Sequence, residues 1–124
     1  MRLLLDTHIL IWWAHDVPIA ADAASAIRAP QNAVVVSAVS IWEAEIKVQI
    51  GKLELEVDLS AGLEEHGFEP LAMTFAHATA AGRLPPHHGD PFDRMLVAQA
   101  QLEGLTLVSR DPVFEHYPVS VLRA

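Results

Sequence analysis

Four acids stand where carboxylates can do chemistry: Asp6, Glu43, Asp93 and Asp111. Asp6 directly follows the apolar run Leu3-Leu4-Leu5, and Asp111 follows a second run at residues 105–108 through Ser109-Arg110. Both runs read as buried strands, so each acid falls just beyond a strand's carboxyl end. Open parallel α/β sheets bind ligands in the crevice outside those ends. Two carboxylates brought together there repel unless one takes a proton or a cation lies between them. A hard divalent cation with oxygen ligands resolves the conflict. A structural alternative stays open for Asp6, because Asp6-Thr7 can also cap a helix starting near His8.

Glu43 is set among Ile41, Trp42, Ala44 and Ile46 on an amphipathic stretch. The pattern Ser40-x-x-Glu43 fits a capping box; if the helix starts earlier, after Ser37, Glu43 lies inside it and the cap fails. The segment His87-His88-Gly89-Asp90-Pro91-Phe92-Asp93-Arg94 is the densest cluster of reactive groups. Asp90 before Pro91 reads as an N-cap followed by the first helical position, with Asp93 in the first turn. The two histidines could act as metal ligands, but adjacent histidines in a Pro/Gly loop read rather as exposed loop residues. Arg94 and Arg110 each neighbour a candidate acid, where they can hold a substrate phosphate or form a salt bridge within the cluster. Trp12, Trp13 and Trp42 read as core or interface residues.

The elements that must position these groups alternate between strand and helix. Apolar runs at residues 2–5, 33–36, 105–108 and 119–122 predict strands covered on both faces. Helices are expected over 20–29, 38–50, 58–66, 74–83 and 92–103, with Gly51 and Gly104 as stop signals. No repeat or linker divides the chain. The expected architecture is α/β: a doubly wound, mainly parallel sheet flanked by helices, forming a single domain over 1–124.

Composition narrows the function. The 124 residues are 52% hydrophobic and 19% charged, which suits a compact, well-buried protein. The absence of cysteine excludes disulfides, zinc-thiolate sites and cysteine nucleophiles. A formal net charge of −8 disfavours nucleic-acid binding unless the acids gather cations that reverse the local sign. No apolar run approaches the ~18 residues of a membrane span, and no leader is apparent, so the expectation is a cytoplasmic protein without membrane contact.

Taken together, these blocks resemble VapC-type toxins of the PIN-domain family. The resemblance rests on Leu4-Leu5-Asp6-Thr7-His8, on Ser37 to Glu43 with Lys47, on Gly51-Lys52-Leu53, on Leu84 to His88, on Asp90 to Ala100 and on Leu105 to Asp111. It spans essentially the whole chain with every motif acid in place. It implies a metal-dependent endoribonuclease that hydrolyses RNA phosphodiester bonds with Mg²⁺ or Mn²⁺. Asp6 and Asp93 would be the principal ligands, and Glu43 and Asp111 would complete the site directly or through water. Thr7 and Ser109 match small hydroxyl positions that support the cluster; Asp90 is a cap or outer residue, and Arg94 a supporting one. The resemblance also implies a homodimer neutralised by a VapB-type antitoxin. A phosphoacceptor receiver domain is a poor match, since Asp6 has no adjacent acid and the only lysines, Lys47 and Lys52, are mid-chain. A DNA-directed nuclease of the same fold and a non-enzymatic binding module are the remaining alternatives.

Overall fold

The computed structural model describes all 124 residues. Five strands, β1 (Arg2–Leu5), β2 (Ala33–Ser37), β3 (Glu69–Leu71), β4 (Thr106–Ser109) and β5 (Val121–Arg123), form one sheet in the order β3-β2-β1-β4-β5. Every neighbouring pair is parallel, with Leu4 opposite Val35 on one side and Leu107 on the other. Six helices complete the chain: α1 (Thr7–Ala14), α2 (Ala21–Arg28), α3 (Ala38–Gln49), α4 (Leu59–His66), α5 (Phe75–Arg83) and α6 (Pro91–Glu103). The doubly wound parallel α/β architecture is therefore present.

Alternation along the strands explains why the sheet carries apolar side chains on both faces. Leu3, Leu5, Val34, Val36 and Val108 join one buried cluster with Ile9, Leu10 and Ile27. Leu4, Val35 and Leu107 join a second cluster with Leu96, Val97 and Phe114. Successive side chains point to opposite faces, so a run without polar interruption requires cover on both sides. α1, α2 and α4 supply residues to the first cluster, α5 and α6 to the second, and α3 to both. No helix is long and apolar enough to cross a membrane.

β1 lies at the centre, and the chain leaves it toward β2 and β3 before returning to β4 and β5 on the other side. The reversal of strand order therefore falls between β1 and β4, whose carboxyl ends lead into Asp6 and Asp111. That is where a doubly wound sheet opens a crevice.

Three differences from the sequence expectations concern which strands exist and where they begin. β3 lies outside the expected strands: it is three residues long with Pro70 in its middle, a composition tolerated only because the strand is at the sheet edge. β4 starts at Thr106 rather than Leu105. Gly104 takes φ 66° at the end of α6, and the Leu105 N–H is used to close the helix on the Ala100 carbonyl at 2.9 Å. β5 likewise begins at Val121, because pairing with Leu107 sets its start there.

Candidate active site

Asp6 continues the line of β1, its N–H donating to the Val108 carbonyl at 3.0 Å, and it occupies the N-cap position of α1. Its side chain makes no capping bond to the helix, so capping does not account for this acid. Instead the Ser109 hydroxyl at the end of β4 donates to Asp6 Oδ2 at 2.7 Å. The same Ser109 oxygen accepts from the Asp111 N–H at 3.0 Å, so one hydroxyl ties the ends of β1 and β4 together. Asp6 is 4% exposed.

Glu43 reaches the site from α3. That helix is capped by Ser37, whose side chain accepts from the Val39 N–H, so Glu43 lies well inside the helix and the Ser40 capping box is not formed. Ser40 has a different use: Thr7 Oγ1 donates to its hydroxyl at 3.0 Å in the buried interior. Thr7 follows Asp6 and Ser40 precedes Glu43 by one turn, so this bond sets the two acids relative to each other. Glu43 is 3% exposed; Lys47 Nζ donates to its Oε2 at 2.8 Å, while Oε1 is buried without any partner. A buried, unpaired carboxylate oxygen is costly unless something else occupies it.

Asp93 enters from the first turn of α6. Asp90 caps that helix as expected, its Oδ1 accepting from the N–H groups of Phe92 and Asp93 at 2.8 and 3.2 Å, with Pro91 at the first position. Asp93 Oδ2 accepts from His88 Nε2 at 2.8 Å. His88, Asp90 and Asp93 each offer a ligand atom within 4.8 Å of one another.

These acids feel one another. Burial pushes the Asp93 carboxyl up to about 7; the His88 bond opposes the shift, and the charges of Asp90, Asp6 and Glu43 add to it. Burial also raises Asp6, against the Ser109 bond and the nearby His8, with Glu43 again adding to the rise. Asp6, Glu43 and Asp93, drawn from a strand end and two helices, thus lie near enough to act on one another's charge, while the ligand atoms within 4.8 Å of one another are those of His88, Asp90 and Asp93. Lys47 is a partner to which sequence reasoning gives no role, and His88 is one that it reads as an exposed loop residue or a metal ligand, whereas it is half-buried against Asp93. Lys47 has a visible signal, since a Glu–Lys pair at i,i+4 faces one side of a helix. His88 has none, because its position depends on how the loop folds back on α6.

Asp111 stands apart. It is exposed, and its Oδ1 accepts from the Val113 N–H at 3.0 Å, capping the short 3-10 helix Pro112–His116. It shares with Asp6 a cavity of about 260 Å³ also lined by His8, Ile9, Trp12 and Arg110. Arg94 corrects the sequence expectation. Its Nη1 donates to the carbonyls of Pro85 and His88, and its Nη2 to those of Ala81 and Leu84, at 2.9–3.2 Å. It is bound to no acid, and both terminal nitrogens are occupied by backbone, so it is a clip on the loop that carries His88 rather than a phosphate ligand. Trp42 is not a core residue: it is 57% exposed, edge-on to Phe92, which leaves the interface reading.

Comparison with known proteins agrees with this fold. Ribonuclease VapC22 of Mycobacterium tuberculosis is 29% identical over 113 residues, covering 88% of this chain and 86% of that protein. Among solved structures, VapBC2 from Rickettsia felis bound to a DNA fragment from their promoter is similar with a TM-score of 0.74 at 17% identity, covering 99% of this chain and 98% of the matched chain. DNA-bound VapBC from Salmonella typhimurium gives a TM-score of 0.70 at 17% identity, covering 99% and 98%. At these identities the structures speak for the fold alone. The PIN domain family model matches residues 3–119, nearly the full length on which the sheet and its acids are built. The chain belongs to the PIN domain family.

Proposed function

We propose that this protein is a metal-dependent endoribonuclease, the toxin of a toxin–antitoxin pair, acting through Asp6, Glu43, Asp93 and Asp111. The observation that carries the reading is Glu43 Oε1, buried without a partner beside two carboxylates whose ionised forms are disfavoured by burial. An all-oxygen acidic set of this kind suits Mg²⁺ or Mn²⁺, and the donors present fit such an ion. Asp6, Glu43 and Asp93 would hold it, with Asp111 completing the set at the exposed side. When bound, the ion supplies Lewis acidity and neutralises charge in phosphodiester hydrolysis.

The chain's own residues prepare that chemistry. Ser109 holds Asp6 Oδ2, and His88 holds Asp93 Oδ2, so each acid keeps one fixed oxygen and leaves the other for the reacting centre. Lys47 neutralises Glu43 from the outside while Oε1 stays unpaired. The crevice at the ends of β1 and β4 is where a phosphate would meet these oxygens.

RNA as substrate and a VapB-type antitoxin as partner follow the similar proteins, VapC22 being a ribonuclease and the solved relatives VapBC assemblies. A single domain over 1–124, a homodimer and a cytoplasmic location complete the proposal. The test is cleavage of a mixed RNA pool by wild type and Asp6→Asn, each with Mg²⁺, Mn²⁺ or EDTA. Discrete fragments from wild type with metal only, and none from a folded Asp6→Asn, are expected. Equal cleavage by the variant would reject the assigned centre.

A further inference from the structure

Binding a polyanion beside a cluster of acids needs a cation that the acids have not already taken. The chain has eight lysines and arginines, and most are committed elsewhere. Lys47 and Arg123 are paired with Glu43 and Glu115. Arg2 and Arg94 are bound to backbone carbonyls. Arg28 stacks on Trp13. Lys52 and Arg83 do not line the cavity that holds Asp6 and Asp111, whereas Arg110 does.

Arg110 is also preorganised. Its guanidinium carbon sits 4.5 Å from the centre of the Trp12 ring, a cation–π stack that fixes the plane of the group. One Nη2 bond to the Ala124 carbonyl at 3.1 Å anchors it, and its remaining nitrogens have no protein acceptor. On the same ring, the His8 imidazole lies tilted at 5.8 Å, one helical turn before Trp12 on α1, and is exposed. The cavity is therefore lined by two acids, by the anchored donors of Arg110 and by the exposed His8 ring. At about 260 Å³ it is smaller than the ~300–1,000 Å³ clefts that enclose a drug-sized ligand, which suits one phosphate at an open rim.

We infer that Arg110, Trp12 and His8 form a nucleotide subsite next to the acidic centre, in which Arg110 binds the RNA phosphate adjoining the cleaved bond and His8 stacks on its base. A planar guanidinium matches phosphate geometry in two parallel bonds, which a lysine cannot do. Trp12 acts by holding the guanidinium in plane. The subsite rests on the ribonuclease reading, and it makes single-stranded RNA the substrate form, since a base paired in a duplex cannot stack on His8.

The test is steady-state cleavage of a fluorescent mixed-sequence single-stranded RNA at several salt concentrations, by wild type and by Arg110→Gln, Arg110→Lys, His8→Ala and Arg123→Gln. Arg110→Gln should raise KM about ten-fold with kcat little changed, and flatten the dependence of log kcat/KM on log salt by about 0.7. Arg110→Lys should keep the salt slope and recover only part of the KM. His8→Ala, which removes an exposed ring with no protein hydrogen bond, should raise KM about five-fold. Arg123→Gln removes the same charge elsewhere and should match wild type. A wild-type KM and salt slope in folded Arg110→Gln, or an equal effect in Arg123→Gln, overturns the subsite while leaving the nuclease intact. A fall in kcat alone also overturns it, since that would place Arg110 in the chemistry through Asp111. A folded wild type that cleaves no RNA overturns the ribonuclease reading beneath it, a different result from an unchanged variant.

Discussion

Replacing Asp93 by asparagine should make the metal-free protein more stable, and increasingly so as pH rises. Burial and the neighbouring acids push its carboxyl to about 7 from the ordinary 3.8. A folded-state pKa raised above the unfolded one means that folding disfavours the ionised form. The penalty is absent below about pH 4, where both states hold the proton. It grows through the interval and is complete above about pH 7. At 1.36 kcal/mol per pKa unit, the full penalty amounts to about 4 kcal/mol.

The asparagine side chain carries no charge and can still accept from His88 Nε2 through its amide oxygen, so the shape of the first turn of α6 is preserved. The charge-assisted part of that bond is already contained in the raised value, which is the net of burial and the opposing His88 contact. A gain of about 4 kcal/mol is therefore expected at pH 8, falling to about 1.5 kcal/mol at pH 5. The assay is urea unfolding of wild type and Asp93→Asn in EDTA at both pH values. The change in the difference between them isolates ionisation from any constant effect of the new side chain. A variant less stable than wild type at pH 8, or a difference that does not move with pH, would refute the account of Asp93 as a buried, ionisable acid held against its neighbours. Added Mn²⁺ should stabilise wild type and close the gap, because a ligand that binds only the folded state raises its stability.

Two structural roles can be separated from the site. Asp90→Ala removes the cap of α6 and should cost about 1 kcal/mol in thermal or chemical unfolding, with metal-supported cleavage retained; loss of activity equal to that of Asp6→Asn would instead place Asp90 in the acidic centre. Arg94→Ala takes a donor from four backbone carbonyls, leaving those of Leu84 and His88 without a partner, and should cost about 2–4 kcal/mol and speed amide hydrogen exchange across residues 84–88. Unchanged exchange there would show that the clip does not hold the loop. Leu4→Ala, at a side chain with no exposure in the central strand, should cost about 2–5 kcal/mol; a smaller loss would mean that the second core cluster closes around the gap.

The acids and most of the frame were legible in the linear chain for a local reason. A strand covered on both faces must be apolar at consecutive positions, so Leu3-Leu4-Leu5 and Leu105 to Val108 announce themselves, and the acid that ends each run marks a strand end. The Asp90-Pro91 cap and the Gly104 stop are equally local, since each depends on a few adjacent dihedral angles and donors. What the chain could not display is the set of relations between distant elements. β3 has three residues and a proline, and exists because an edge of β2 is available to pair with. Ser109 meets Asp6 across 103 positions, and Thr7 meets Ser40 across 33, only because β1 lies between β2 and β4. Arg94 lies beside an acid in sequence, yet its side chain turns to the loop, where four backbone carbonyls accept from it and outweigh one neighbouring charge. His88 becomes a partner of Asp93, and Arg110 the cavity's arginine, through the folding of loops whose sequences specify neither. Residue type decides which groups can react; tertiary packing decides which of them share water, charge and a hydrogen bond.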